Sequence, residues 1–246
     1  MKTLNQYIKE KLIINKDYRD GGLSPKSFDE LRKIIKDRYK KLGPGTEQNP
    51  IDFNDVDVSN IDSFCYKNST GIFAGTEFEY IDISDWDVSN IKDMCYMFYG
   101  CDQLKSVGDL SKWNVSNVED MRNMFDECKQ LKSIGDLSNW DVSKVKNMWG
   151  MFYSCEQLKS VGDLSNWDVS KVEYMNSMFY SCEKLTSIGD LSNWNVSNVE
   201  DMTSMFESCK QLKSVGDLSN WNVSKVRFTG AMFYDSGITN IPDWYE

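Results

Sequence analysis

The apolar positions of this chain recur with a period of 27 residues. A tryptophan returns once per period, and each is followed by Asp or Asn and then Val-Ser. These tryptophans are Trp86, Trp113, Trp140, Trp167, Trp194 and Trp221. Each unit continues with Val or Ile, then Met-x-x-Met-Phe-x-x-Cys-x-x-Leu, and closes on Gly-Asp-Leu-Ser. A residue type that returns in every unit is demanded by a position common to all units, so the sequence predicts stacked repeats.

The middle of each unit has the apolar spacing of a short helix. The apolar set of the first complete unit is Met94, Met97, Phe98, Cys101 and Leu104. At about 100° per residue this set falls within an arc of about 120°, which is one buried stripe. Residues 106–110 have no helical period, and Gly108 favours a bend, so we expect a short strand there. One strand and one helix per coil predict an elongated α/β solenoid of the leucine-rich-repeat type, with strands about 4.8 Å apart.

Both ends of the array depart from the repeat, as capping units do. Residues 56–85 form a degenerate coil, in which Val56 replaces the tryptophan and three residues are inserted. Five full repeats follow at 86–220. Residues 221–246 form a C-terminal capping coil, and its last tryptophan, Trp244, is placed to close the stack.

The charge of the chain divides it into two parts. Residues 1–50 carry 12 Lys and Arg against 7 Asp and Glu, whereas residues 51–246 carry 16 against 31. We therefore expect a basic N-terminal cap or leader followed by an acidic repeat solenoid. The acidic balance argues against nucleic-acid binding by the solenoid, because phosphate contacts need a basic face.

Two helices are predicted in the N-terminal part. The first is a short amphipathic helix at 3–14. The second spans 25–42, begins near Ser27 with Glu30 three residues on, and stops at Gly43. This helical segment is expected to cover the open end of the solenoid.

The composition removes several classes of chemistry. The chain has no histidine, which excludes Ser-His-Asp and Cys-His catalysis, and it has no glycine-rich phosphate loop. We therefore expect no enzyme and no cofactor. No apolar run of about 18 residues predicts a membrane span, and no secretory signal is visible. A cytoplasmic location is the expectation from these absences.

The repeat motif resembles that of a known family. Trp-Asp-Val-Ser-Asn-Val followed by Met-x-x-Met-Phe-x-x-Cys-x-x-Leu is similar to the repeats of the BspA-like bacterial surface proteins, over about residues 56–244. The resemblance implies a leucine-rich-repeat-like solenoid, a role in adhesion or protein binding, and a place at the cell surface. The first ten residues also look like leaders on proteins of tailed phages, which gives a structural protein of the virion as an alternative.

One cysteine per unit forms a column of five thiols. These residues are Cys101, Cys128, Cys155, Cys182 and Cys209. They could be a row of thiols that bind a soft metal or take part in redox chemistry, or they could be small buried residues of the core. We favour buried, reduced thiols in a reducing compartment. Cys65 and Cys95 share a different position. The tryptophan column likewise reads as packing between coils, with a carbohydrate-stacking strip as the alternative.

An aspartate follows the recurrent glycine of each unit. This column comprises Asp109, Asp136, Asp163, Asp190 and Asp217. It is a candidate row of cation sites, for which calcium would suit oxygen ligands. The alternative, which we favour, is that each carboxylate accepts hydrogen bonds from local backbone N–H groups or from a serine such as Ser111. We therefore predict no metal site.

Binding specificity is expected where the units differ. The position after Met-Phe forms a line of aromatic and acidic residues, namely Tyr99, Asp126, Tyr153, Tyr180, Glu207 and Tyr234. With aromatic residues at other variable positions, the candidate binding residues are Tyr96, Tyr99, Trp149, Tyr153, Tyr174, Tyr180 and Tyr234. The alternative is that these are scattered surface aromatics. The predicted function is a non-enzymatic protein-binding or scaffold module with a protein partner that carries a basic patch.

Overall fold

The structure is a computed structural model and describes residues 23–66 and 70–245. Regular secondary structure within these residues is sparse. It comprises the helix α1 (Phe28–Leu42), the strands β1 (Ile51–Asp52), β2 (Cys65–Tyr66), β3 (Thr70–Gly71) and β4 (Ile81–Asp82), and a 3₁₀ turn (Leu218–Asn220). Strand β1 pairs with β4 in parallel, and β2 pairs with β3 in an antiparallel hairpin. No helix among the described residues has the length and apolar character to cross a membrane.

Successive repeat units stack in register along the described array. Parallel bridges join one position of each unit to the same position of the next, in the order Asp93, Asp120, Asn147, Tyr174, Asp201 and Phe228. Neighbouring backbone groups follow the same register, since the Met121 N–H donates to the Asn147 carbonyl at 2.9 Å. Each side chain therefore lies beside its counterpart 27 residues away, and the sequence columns become columns of side chains.

The helix predicted in each unit is wrong, because this segment is a run of tight turns. In the second full unit, Met124 N–H donates to the carbonyl of Met121 within the same unit, at 3.3 Å. Its neighbours Asn123 and Phe125 instead donate to the next unit, at 2.7 and 2.9 Å. An α-helix needs every N–H to bond four residues back within its own segment. Asn123 also has a φ of 53°, which breaks a right-handed helix.

The predicted strand at 106–110 shrinks to a bridge at one residue. Ser106 pairs in parallel with Tyr80 on one side and Ser133 on the other. Gly108 then turns the chain with a φ of 88°, a conformation that only glycine adopts readily. Beyond the parallel pair of β1 and β4, the predicted parallel sheet is therefore reduced to isolated bridges, and the α/β unit is wrong in its helix and in the length of its strand.

The interior consists of columns of identical side chains. The phenylalanines stack face to face, with centroid distances of 5.1 Å for Phe98 and Phe125 and 5.7 Å for Phe125 and Phe152. The tryptophans are also buried, and the Trp140 Nε1–H donates to the Leu110 carbonyl at 3.0 Å. Repeated aromatic stacking and a satisfied indole N–H hold each unit on its neighbour. The alternative of an exposed carbohydrate-stacking strip is therefore wrong.

Helix α1 packs against the degenerate coil at the start of the array. Ser27 caps it, and its hydroxyl accepts from the Glu30 N–H at 3.2 Å, so the helix begins three residues later than the predicted span 25–42 and ends where predicted. The buried Arg38 pairs with Asp55 at 2.6 Å and lies over the Phe53 ring at 4.7 Å. The helix predicted at 3–14 lies outside the described residues.

The last coil is closed by aromatic residues. Trp244 stacks on Trp221 at 6.2 Å, and its indole N–H donates to the Leu218 carbonyl at 2.8 Å. It thereby repeats the contact that each tryptophan of the array makes with the unit before it. Tyr245 adds an edge contact with Phe233 at 5.1 Å.

Candidate binding surface

Six side chains at one position per unit form what we call the tyrosine–acid line, defined as Tyr99, Asp126, Tyr153, Tyr180, Glu207 and Tyr234. Backbone hydrogen bonds fix their order. The Gly100 N–H donates to the Asp126 carbonyl at 2.9 Å, and the Ser181 N–H donates to the Glu207 carbonyl at 2.8 Å. Each member therefore lies on the unit directly beside its neighbour in the line.

The tyrosines of the line present aromatic surface to solvent. Tyr99 and Tyr234 are 41% and 69% exposed. Tyr153 and Tyr180 are half-buried because their rings stack, with centroids 4.5 Å apart. Tyr96 lies edge-on to Tyr99 at 5.6 Å and extends the surface toward the neighbouring column. Four of the seven predicted binding residues thus belong to the line, and a fifth contacts it.

The other two predicted residues, Trp149 and Tyr174, lie in other columns. They are 42% and 39% exposed, and among the described residues neither has a ring contact with the line. Sequence reasoning missed Phe228, which is 60% exposed and occupies the column of Tyr174 two units on. A search of each column for every aromatic residue, rather than for Tyr and Trp alone, would have found it.

Asp126 is the unusual member of the line. It is only 9% exposed, and its Oδ1 atom is buried with no hydrogen-bond partner among the described residues. Burial, and then the charge of Glu127, raise the pKa of this carboxyl to about 7, whereas Lys129 lowers it. The Asp126 charge is in turn the first cause that raises the pKa of the Tyr99 phenol. It also contributes to the raised pKa of Tyr153, so the carboxyl lies between the two phenols.

The raised pKa makes Asp126 a source of instability at neutral pH. Between the unfolded pKa of 3.8 and the folded pKa of about 7, the folded state binds more protons than the unfolded state. Stability contributed by the protonated carboxyl is therefore lost as the pH rises through this window. Asp126→Asn should remove that slope and stabilise the fold at pH 8 by roughly 1–2 kcal/mol, allowing for solvent screening. Urea unfolding at pH 5 and pH 8 measures this.

Asp136→Asn is the matched control for that experiment. Hydrogen bonds from Ser138 lower the pKa of Asp136, so this carboxylate contributes stability at neutral pH that is lost in acid. Its replacement should destabilise the chain at pH 8, in the opposite direction to Asp126→Asn. An unchanged pH slope in the Asp126 variant would contradict the assignment.

The aspartate column is used for local hydrogen bonding. Each carboxylate accepts the N–H of the serine two residues later, at 3.0 Å for both Asp109 and Asp136. Hydrogen bonds donated by the serine lower the pKa of both carboxyls. Their lone pairs therefore already have donors in the turn, which favours the hydrogen-bonding interpretation over a row of cation sites.

The five cysteines of the repeat are buried and free. Each Sγ–H donates to a phenylalanine carbonyl of the preceding unit, as Cys155 does to Phe125 at 3.2 Å. Burial raises the pKa of the Cys101 thiol to about 11 and that of Cys209 to about 12. Because the thiolate is the reactive form, these are packing residues, and the prediction of buried, reduced thiols is confirmed for them.

Cys65 and Cys95, which share a different position, form a disulfide between the degenerate coil and the first full repeat. They occupy one column, 30 residues apart, because the degenerate coil is three residues longer than the others. Stacking places their Cα atoms 5.5 Å apart, within the range that a disulfide spans. Asp93 lies beside them, with its carboxylate within 4.8 Å of both sulfur atoms.

Peptide mapping without reductant is expected to recover Cys65 linked to Cys95. In the same sample, an alkylating reagent should leave Cys101, Cys155 and the other repeat thiols unmodified until the chain is unfolded. The reason is that burial keeps the reagent away from the sulfur atoms and keeps the thiols protonated, whereas the reagent needs an accessible thiolate. Mass spectrometry of digests before and after denaturation measures both. Modification of Cys155 in the folded chain, or of Cys65 without reductant, would contradict the structure.

Comparison with known proteins places the repeats in a family. Residues 67–187 and 156–244 match the family described as "Mycoplasma protein of unknown function, DUF285". Among solved structures, the chain is similar to a leucine-rich repeat protein from Eubacterium ventriosum, at 20% sequence identity and a TM-score of 0.47. That match covers 77% of this chain, which spans 44% of the length of the other. No curated protein matches.

Proposed function

The chain belongs to the DUF285 family, and we propose that it is a non-enzymatic protein-binding module. In this proposal the stacked units form a leucine-rich-repeat-like solenoid of the BspA-like type, and its variable columns hold a protein partner. Repeat arrays suit this task because each unit adds one strip of surface at a regular spacing.

The observation that carries the proposal is the exposure of the tyrosine–acid line. Columns that repeat without change are buried or are used in turns, whereas this varied column presents Tyr99 and Tyr234 to solvent. Tyrosine supplies large contact area with a polar tip and is enriched at protein interfaces. The chain also has a net charge of −10, so it would attract a partner with a basic patch.

The chemistry of the described residues supports binding rather than catalysis. The repeat thiols are buried and donate to carbonyls, and the aspartates of the turns accept backbone N–H groups. No histidine is present to act as a base. The groups best suited to reaction are therefore engaged in holding the fold, and the groups left exposed are those suited to contact.

A quantitative pull-down from an extract of the source organism tests this function. The triple variant with Tyr99, Tyr153 and Tyr180 replaced by serine is expected to lose at least tenfold in recovery of its partner, because interface tyrosines carry much of the binding energy. The matched control is a triple variant in which Ser111, Ser138 and Ser165 are replaced by alanine. It leaves the tyrosine–acid line intact and should recover as much partner as the wild type does. Equal recovery by wild type and the tyrosine variant would refute the proposed surface.

The disulfide between Cys65 and Cys95 favours a second candidate, a cell-surface adhesin of the BspA-like type. Disulfides persist in oxidising compartments and are rare in the cytosol. Fractionation of the source cells, with the redox state of Cys65 measured in each fraction, tests this candidate. Recovery of the chain only from the cytosol with Cys65 reduced would exclude it.

A further inference from the structure

The tyrosine–acid line contains the same order of side chains twice. The first three units supply Tyr99, Asp126 and Tyr153, and the next three supply Tyr180, Glu207 and Tyr234. In each triad an acid lies on the unit between two tyrosines, because backbone hydrogen bonds join adjacent units throughout the line. The line therefore contains two triads with the same order of side chains, one centred on Asp126 and the other on Glu207.

The first triad has an acceptor without a donor. The Oδ1 atom of Asp126 is buried and has no hydrogen-bond partner among the described residues. A buried carboxylate with an oxygen that lacks a donor is costly, and an ammonium or guanidinium group at the 9% of Asp126 that remains exposed would offset this cost. The flanking tyrosines add to this preference, because the face of an aromatic ring attracts a cation. The 41% exposure of Tyr99 leaves one ring available to such a group.

The distance between the two acids sets the spacing of the ligand. Asp126 and Glu207 are three units apart, and at about 4.8 Å per unit this is about 14 Å. An extended peptide rises by about 3.4 Å per residue, so four residues span about the same distance. Residues four apart in an extended chain also point to the same side. A peptide that runs along the line can therefore place one basic side chain on each acid.

We propose that the tyrosine–acid line binds an extended basic segment of a protein partner, with two Lys or Arg side chains four residues apart, one on Asp126 and one on Glu207. This inference rests on the proposed protein-binding function and names the chemistry and register of its partner. The net charge of −10 steers such a segment toward the chain. Charge complementarity and spacing together select an extended basic peptide over an acidic or apolar one.

Fluorescence anisotropy with labelled peptides tests the register. Serine-based peptides of equal length and composition carry two lysines that are two, three, four or five residues apart. The intact chain is expected to bind the four-residue spacing at least tenfold more tightly than the three-residue spacing, because only the former satisfies both acids. Asp126→Asn and Glu207→Gln should each lower that affinity about tenfold or more, as expected for loss of a charged hydrogen bond.

Glu173→Gln is the control variant, since Glu173 is an exposed carboxylate in another column, and it should leave the affinity unchanged. Binding to wild type should weaken below about pH 7, because Asp126 must be ionised to hold a cation. Its charged neighbours in this window are Glu127 and Lys129. Asp126→Asn should remove that dependence.

Two results with peptides that bind would overturn the inference. One is equal affinity for all lysine spacings, and the other is an unchanged affinity after Asp126→Asn. No binding of any peptide, with partner recovery in the pull-down still dependent on the three tyrosines, would refute the basic-peptide inference while the proposed function stands. If neither peptides nor the pull-down depend on the line, both are refuted.

Discussion

Replacement of Phe152 by alanine is expected to lower the free energy of unfolding by about 3–5 kcal/mol. The side chain is fully buried and stacks between Phe125 and Phe179, at centroid distances of 5.7 and 5.5 Å. Its neighbours in the column are held by hydrogen bonds between units, so the structure has little freedom to collapse into the cavity. Denaturant unfolding monitored by tryptophan fluorescence measures the loss.

The residue after Phe152 provides the control for this variant. Tyr153 stacks on Tyr180 but is half-buried, so Tyr153→Ala should cost only about 0.5–1.5 kcal/mol. A similar cost for both variants would mean that the phenylalanine column is not the centre of the core.

Gly189→Ala is expected to destabilise the chain by about 2–4 kcal/mol, through strain and steric conflict together. The glycine has a φ of 88°, which is unfavourable for any residue with a Cβ atom. The added Cβ would also collide with the Asp163 carboxylate of the preceding unit. That carboxylate is fixed because its Oδ1 accepts the Ser165 N–H at 3.0 Å, so relief of the collision breaks the turn.

Gly230→Ala is the matched control for this variant. A Cβ at Gly230 would meet no atom within 4 Å, and its φ lies outside the left-handed region. We expect a change within about 0.5 kcal/mol. Thermal unfolding of both variants by circular dichroism measures the difference, and equal melting temperatures would contradict the packing of aspartate against glycine between units.

The sequence predicted the register of the stack and its buried columns, because both depend only on the period. Every tryptophan of the array and every repeat cysteine is buried, as the recurrence required. Helix α1 was found from Ser27 and Glu30, since a capping box is a local signal. These features need no knowledge of which residues meet across the fold.

The conformation of each unit was mistaken because two structures share one apolar pattern. Side chains three and four residues apart meet on one face of a helix, and a run of tight turns returns them to the interior at the same spacing. Residues such as Asn123 and Glu127 adopt positive φ, at 53° and 59°, and neither is glycine. Hydrogen bonds between units decide the backbone conformation of these residues, and the sequence of a single unit does not reveal those hydrogen bonds.

For the candidate surface too, the sequence predicts some features and leaves others undetermined. The tyrosines of the line were identified because they vary where the rest of the unit is constant. The buried state of Asp126 and its bare Oδ1 atom could not be predicted, since Glu207 holds the same position and is half-buried. The sequence shows that Cys65 and Cys95 share a position, but not that stacking places their Cα atoms 5.5 Å apart, close enough for a disulfide.

Removal of one whole period tests the central claim that units are interchangeable layers of one stack. A variant that lacks residues 140–166 joins Asn139 to Trp167 and restores the repeat sequence. It should remain folded and unfold in a single cooperative transition by tryptophan fluorescence, whereas a variant that lacks only residues 140–153 should not fold. Loss of cooperative unfolding in both variants alike would contradict the stacked register on which the fold and the binding surface depend.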